Sequence, residues 1–119
     1  VGGATLRFAR ECGRGNAMRW LLTGDAFDAA EALRIGLVQE VVPSGQSLQR
    51  AMAIAQGIAE QAPLGVRATL ASARLEVREG EAAAAERLIP DLIPIMGSED
   101  VREGIASFLE RRKARFKGR

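Results

Sequence analysis

Apolar residues between Ser47 and Val77 recur at spacings of three and four, which is the period of an amphipathic α-helix. One predicted helix runs from Ser47 to Ala62 and carries its apolar residues on one face: Leu48, Ala51, Met52, Ala55, Ile58, Ala59 and Ala62. Pro63 breaks this run and suits the first turn of a second helix, whose predicted buried face comprises Val66, Leu70, Ala73 and Val77. The periodicity predicts a mainly α fold.

Two further helices are predicted toward the C-terminus. Ser98 is the expected cap of the last one, which has an apolar stripe formed by Val101, Ile105, Phe108 and Leu109. The stretch from Glu81 to Met96 contains four consecutive alanines and also favours a helix. Pro90 and Pro94 each remove a backbone donor there, so we expect a kink, a break or a loop between Leu88 and Ser98.

Residues 21 to 43 read LLTGDAFDAAEALRIGLVQEVVP and have well-marked helix starts and stops. Asn16 and Asp28 are predicted to cap two short helices, which end at Gly24 and Gly36. The residues that follow, LVQEVV, form the one credible strand of the chain. The stretch therefore predicts helix, turn, helix and at most one short strand.

Composition indicates a globular domain from a reducing compartment. The chain has 119 residues, of which 47% are apolar, and only four Phe and one Trp are aromatic. No run of about 18 apolar residues occurs, and the start, VGGATLRFAR, has no apolar signal-peptide region. Cys12 is the only cysteine and has no partner for an internal disulfide. We expect a cytoplasmic protein that does not associate with a membrane.

The residue types that are missing exclude several kinds of catalytic site. The chain has no histidine and no tyrosine, so Ser-His-Asp, Cys-His and the common zinc sites are impossible. Cys12 lacks a general base and is interpreted as a small packing residue. The acid pairs Asp25 with Asp28 and Glu99 with Glu103 fall in predicted caps and first turns, where structural roles are favoured. The sequence predicts no catalytic residue and no metal site.

The last nine residues, RRKARFKGR, form a basic tail. They contain six Lys or Arg and no acid, whereas the first 110 residues contain eleven bases and fifteen acids. Such a cluster can meet an anion, but the C-terminus of a helix also attracts basic residues because they complement its dipole. Phe116 is the only aromatic within the tail, so a nucleic-acid surface is poorly supported.

Four segments, in order and with compatible spacing, resemble the enoyl-CoA hydratase/isomerase family, also called the crotonase superfamily. The stretch at residues 21 to 43 resembles the segment that follows the active site in that family. GGATLRFAR resembles its glycine-rich turn into a helix, and AMAIAQGIAEQAPLGVRATLASAR resembles its paired helices. SEDVREGIASFLERRKARFKGR is similar to its C-terminal helix with a basic end. The resemblance covers essentially the whole chain.

The resemblance implies the C-terminal part of a crotonase-like fold. Family members bind an acyl-CoA thioester, hold its carbonyl oxygen with two backbone N–H groups and move protons with acids from an N-terminal spiral of βαβ turns. Those groups would precede this chain, so it is expected to be a fragment without activity of its own. Residues 1–46 would be the end of the crotonase core, and residues 47–119 a helical cap and oligomerisation region.

Ligand-binding roles also follow from the resemblance. Phe108 would help to wall the acyl pocket of a neighbouring subunit, and Leu92 lies where the family's hydratases have a pocket-lining aromatic. Arg111, with Lys113 and Lys117 as weaker candidates, would face the phosphates of coenzyme A. Helical spacing would put Phe108 and Arg111 on one face.

The expected partners are an acyl-CoA substrate and further copies of the protein, as a trimer or hexamer. No cofactor is expected other than coenzyme A as part of the substrate, and no nucleic acid. Hydration, isomerisation, dehalogenation, decarboxylation and hydrolysis all occur in the family and stay open. The alternative is a non-catalytic helical oligomerisation or interaction module with a basic tail.

Overall fold

The computed structural model describes residues 3–119, which form seven α-helices and no β-strand. The helices are α1 (Ala4–Cys12), α2 (Arg14–Thr23), α3 (Ala29–Arg34), α4 (Ser47–Ala59), α5 (Pro63–Glu79), α6 (Glu81–Met96) and α7 (Glu99–Leu109). The predicted mainly α fold is confirmed. The chain divides into two compact units, of which the first ends at Leu48 and the second spans Gln49–Arg119.

Local signals set most helix ends in the first unit. Gly24 ends α2 in the left-handed conformation, with φ of 70°, and its N–H donates to the Trp20 carbonyl. The Asp28 carboxylate caps α3 by accepting the Glu31 N–H at 2.8 Å, as predicted. The predicted cap at Asn16 is wrong, because α2 begins two residues earlier and the Asn16 amide donates instead to the Cys12 carbonyl.

The strand predicted at residues 37–42 does not form. None of the residues from 3 to 119 lies in a strand, so this segment has no ladder partner. An extended segment is stabilised by hydrogen bonds and cross-strand packing with a neighbour, and without one its β-branched composition is not sufficient. The segment instead begins with a turn in which the Leu37 N–H donates to the Ala32 carbonyl at 2.9 Å.

The first unit has a small core built from α1, α2 and α3. Its buried apolar residues are mostly small: Cys12, Ala17, Ala32 and Ile35. An aromatic cluster accompanies them, since the Phe27 ring lies 4.9 Å from the Trp20 ring and 6.0 Å from the Phe8 ring. Burial of Cys12 agrees with its predicted role as a packing residue and raises the pKa of its thiol.

In the second unit, α5 and α6 are joined by Gly80 alone and pack together as a helical hairpin. Pro63 occupies the first turn of α5, as predicted. The predicted buried face of α5 is wrong, because Leu70 is 48% exposed and Val77 is 53% exposed. Ala84 is the one buried apolar residue among residues 49–119, so no large apolar side chain of this unit is fully buried within it.

Helix α6 continues through both prolines, so a break or a loop, two of the three predicted alternatives, is wrong, while the kink stays a prediction. Pro90 and Pro94 are four residues apart and therefore lie on the same side of the helix. Both are exposed, which leaves the carbonyl that each proline cannot satisfy within reach of water. Solvent access thus replaces the two missing hydrogen bonds without ending the helix.

Candidate functional site

The basic tail leaves α7 by a sharp turn. The Ser98 hydroxyl caps the helix start by accepting the Val101 N–H at 3.2 Å, as predicted. The helix ends at Leu109, and Arg111 takes a left-handed backbone conformation with φ of 53°. Arg111 therefore lies beyond the helix, and the expectation that it shares a helix face with Phe108 is wrong. Its proposed ligand role does not depend on that face and stays a prediction.

Asp100 holds the end of the tail against the first turn of α7. Its side chain accepts the backbone N–H groups of Lys117 at 2.6 Å and Gly118 at 2.8 Å, one with each carboxylate oxygen. Its own N–H donates to the Arg119 carbonyl at 3.1 Å. Asp100 is only 2% exposed, so these bonds replace water around a buried carboxylate. Three consecutive tail residues are thereby fixed at one point.

Glu103, one turn further along α7, holds the middle of the tail. Its carboxylate forms a bidentate pair with the Arg112 guanidinium and accepts the Arg115 N–H at 2.7 Å. The Arg112 hydrogen bonds, together with that from Arg115, lower the pKa of Glu103 to about 2. The same contacts with Glu103 and with Glu110 raise the pKa of Arg112.

The candidate phosphate-binding cations differ in their surroundings. The Lys113 Nζ lies 2.7 Å from a Glu60 oxygen and lowers the pKa of that carboxyl. The Lys117 Nζ lies 3.8 Å from Glu99. Arg111 is exposed and forms no ion pair with any residue of the described part of the chain. Of the three candidates, Arg111 is therefore the one that can bind an anion without breaking an ion pair.

Phe108 lies at the end of α7 with 83% of its surface exposed. Ile105 and Leu109 beside it are exposed as well, so the predicted apolar stripe of α7 faces outward in this chain. An aromatic side chain in this state is available to wall a pocket that other chain segments complete. The Phe108 carbonyl accepts the Arg111 N–H at 3.3 Å, so the tail begins directly after this residue's turn.

Leu92 lines an apolar groove between α5 and α6 with a volume of about 520 Å³. Ala68 and Ala73 of α5 also line this groove, as do Leu88 and Ile95 of α6. Arg87 and Asp91 pair with each other at the groove, so their charges compensate there. Phe108 is not among the residues that line this groove.

The contacts of Asp100 and Glu103 with the tail are not predicted from the sequence. The sequence analysis favours a structural role for Glu103, which agrees with its contacts to the tail. The available signal was the order of charges along the chain, because the acids at positions 99, 100, 103 and 110 are followed by six bases in residues 111–119. This order of charges indicates that the acids and the tail attract each other, but it does not predict that the chain reverses direction after Arg111.

Neither a metal cluster nor a membrane span appears in the described structure. Residues 3–119 contain no group of three His, Cys, Asp or Glu side chains placed to hold a metal ion. No helix in that range has the length and apolar character needed to cross a bilayer.

Comparisons with known proteins identify the family. The model of the enoyl-CoA hydratase/isomerase family matches residues 1–119. An enoyl-CoA hydratase of Mycobacterium tuberculosis is 37% identical over 100% of this chain and 45% of its own length. The crotonyl-CoA hydratase of Syntrophomonas wolfei is 36% identical over 96% of this chain and 44% of its own length. The chain belongs to the enoyl-CoA hydratase/isomerase family.

A solved structure agrees with the helical architecture. The crystal structure of a probable enoyl-CoA hydratase/isomerase from Mycobacterium abscessus is 60% identical, with a TM-score of 0.92. The match covers 100% of this chain and 46% of that one. The chain thus spans about half the length of the relatives that it matches, and the seven helices correspond to part of a crotonase fold.

Proposed function

We propose that residues 1–119 are the C-terminal portion of an acyl-CoA enzyme that hydrates an enoyl-CoA. The proposal is supported most by two observations together: the half-length matches to hydratases, and the many large apolar side chains that stay exposed in the second unit. Exposed apolar surface on this scale is typical of a surface that another chain segment or subunit buries.

In this proposal the chain has two parts. Residues 1–46 end the catalytic core, and residues 47–119 cover the active site and contribute to a homo-oligomer, as a trimer or hexamer. The exposed residues of α4, α6 and α7 provide the surfaces for both tasks, among them Met52, Ile58, Leu88, Ile93 and Phe108. Burial of such side chains contributes roughly 25 cal/mol per Å² of apolar area removed from water.

The helical cover would serve catalysis by excluding water. Hydrogen-bond donors that stabilise a developing oxyanion act strongly only in a preorganised, low-dielectric site, where loss of one donor costs roughly 3 kcal/mol. In the complete protein, Phe108 and Leu92 would wall the acyl group. No cofactor is required in this proposal, since coenzyme A enters as part of the substrate.

The nucleotide end of the substrate would meet the basic tail. Arg111 is the first candidate because it is exposed and has no carboxylate partner among residues 3–119. Its planar guanidinium can hold two phosphate oxygens at once. Lys113 and Lys117 would contribute at longer range, since each already lies near a glutamate.

A chimera tests the proposal. The N-terminal portion of the Syntrophomonas crotonyl-CoA hydratase, up to the start of the matched region, is joined to residues 1–119 of this chain. We expect the chimera to hydrate crotonyl-CoA, whereas residues 1–119 alone show no turnover above buffer. General acid–base assistance alone is worth about 10²–10⁴-fold, and the chain has no group identified for it. The intact parent enzyme is the positive control.

Two outcomes would contradict the proposal. Turnover by residues 1–119 alone, after contaminating host enzyme is excluded, would show that the chain carries its own catalytic groups. A chimera that folds and assembles like the parent but neither binds coenzyme A nor hydrates crotonyl-CoA would favour the non-catalytic interaction module.

Arg111→Ala in the chimera tests the nucleotide contact. We expect a several-fold weaker affinity for coenzyme A and a smaller dependence of that affinity on salt, because one phosphate-facing charge is removed. Thermal stability should be nearly unchanged, since Arg111 makes no ion pair in the described structure. Arg78→Ala, which removes another arginine without an ion pair in residues 3–119, is the matched control. Unchanged affinity at low ionic strength would remove Arg111 from the site.

A further inference from the structure

Two carboxylates on one face of α7 contact the tail at successive points. Asp100 and Glu103 are three residues apart, so their side chains project from the same side of the helix. Glu103 accepts the N–H of Arg115, and Asp100 accepts those of Lys117 and Gly118. As the tail advances, its contacts move toward the start of α7, so the tail runs back along the helix.

These contacts hold the tail backbone rather than its charged ends. Asp100 and Glu103 together accept hydrogen bonds from three main-chain N–H groups. These bonds fix the path of the backbone and do not depend on the side chains of the donor residues. The Arg112 guanidinium closes the loop from the other end by its bidentate pair with Glu103. A backbone held at both ends leaves little freedom between them, so the intervening side chains have defined positions.

Asp100 is buried, so it depends on its hydrogen bonds with the tail more strongly than Glu103 does. A buried carboxylate without partners is strongly unfavourable, and here the tail supplies the donors that satisfy both oxygens. Gly118 takes φ of 77°, a left-handed backbone conformation that residues with a side chain disfavour. The contact therefore requires both the carboxylate of Asp100 and a glycine at position 118.

We propose that Asp100 and Glu103 form a carboxylate latch that orders the basic tail and thereby positions its cations for the phosphates of the substrate. The inference rests on the proposed function for what the tail binds. Asp100 is a positioning residue, because it contacts the tail backbone and not the ligand. Arg111 directly precedes the held residues and is the candidate cation without an ion pair among residues 3–119.

Asp100→Asn in residues 1–119 tests the latch directly. The amide offers one acceptor where the carboxylate offers two, and its NH₂ group meets a backbone donor. We expect amide hydrogen exchange at Lys117 and Gly118 to accelerate at least about tenfold, while the amides within α7 keep their protection. Glu86→Gln, which removes an exposed charge on α6, should leave the tail amides unchanged. Unaltered exchange at Lys117 and Gly118 would overturn the latch.

Gly118→Ala provides a second variant that keeps every charge of the latch. The left-handed backbone at this position disfavours a side chain, so the variant should loosen the same contact and accelerate exchange at Lys117. An unchanged rate in this variant would contradict the latch even if Asp100→Asn failed to fold. Circular dichroism distinguishes loss of the tail contact from loss of helix.

The chimera separates positioning from simple structure. Both Asp100→Asn and Arg111→Ala should raise KM for crotonyl-CoA several-fold and reduce its salt dependence, and neither should lower kcat. Only Asp100→Asn should accelerate hydrogen exchange in the tail. If Asp100→Asn frees the tail but leaves KM unchanged while Arg111→Ala raises it, the positioning role is overturned and the proposed function stands. If neither variant changes KM, the tail does not meet the nucleotide, and both claims about it fail.

Discussion

The structural role of a carboxylate in this chain depends on how many hydrogen-bond donors it accepts and of what kind. Asp28 accepts one backbone N–H and caps α3, whereas Asp100 accepts two and holds a segment seventeen residues away. Glu31 lies three residues after the Asp28 cap, where a glutamate can reach back to the N–H of the capping residue, but its carboxylate pairs with Arg34 at 2.6 Å. A charged hydrogen bond to a guanidinium is stronger than one to a neutral amide, which explains the choice.

Glu103 should make stability depend on acid pH. Folding lowers its pKa from the ordinary 4.5 to about 2, mainly through the hydrogen bonds from Arg112. The stability contributed by this group is therefore fully present above pH 4.5 and is lost as the pH falls toward 2. Glu103→Gln should show a smaller loss of urea resistance than the wild type across that window. Glu86→Gln serves as control, and an identical pH dependence in both variants would contradict the assignment.

At the scale of elements, the helix ends follow local chemistry more closely than the helix interiors do. Ser98 and Asp28 cap as expected, and Pro63 begins α5. The interior of α6 departs from expectation, since two prolines that would end a helix in many contexts are accommodated on an exposed side. Helix α6 is held by its packing against α5 rather than by an unbroken hydrogen-bond ladder.

Replacing either internal proline should stabilise the protein. In Pro90→Ala the restored N–H can donate to the Glu86 carbonyl, and in Pro94→Ala to the carbonyl of residue 90. We expect each change to raise the free energy of unfolding, by up to about 3 kcal/mol, as measured by urea denaturation of residues 1–119. Pro63→Ala is the matched control, because proline is favoured at a first helical turn and its loss should bring no gain. A loss of stability in Pro90→Ala would show that the proline is required by its packing.

For the whole molecule, the distribution of apolar side chains is the dominant feature. The buried apolar residues are small ones with the exception of Ile35, whereas Leu, Ile, Met and Phe side chains of α4, α6 and α7 are exposed. A chain with this surface lowers its free energy by binding a complementary surface, either the rest of a longer protein or another copy of itself.

Residues 1–119 in isolation should therefore self-associate. Sedimentation equilibrium across the micromolar range should give an average mass above the monomer value of 12.7 kDa. Replacing the exposed Leu88, Ile93 and Met96 of α6 by serine should shift the average mass toward the monomer, because less apolar surface remains to bury. Replacing Glu86, an exposed polar residue of the same helix, by serine should leave the average mass unchanged. A clean monomer for the unaltered chain would argue against the exposed faces as contact surfaces.

The sequence by itself determined the helical class, the positions of most helix starts and the family, because each of these depends on residues close together in the chain. Caps, prolines and periodic apolar residues act within one or two turns, and ordered motifs identify a relative without coordinates. Only the tertiary structure decided that the tail reverses after Arg111 and binds Asp100 and Glu103, since those contacts join residues that no local pattern relates. It also decided which apolar faces are buried: periodicity shows that a helix has such a face, but its burial depends on what lies against it.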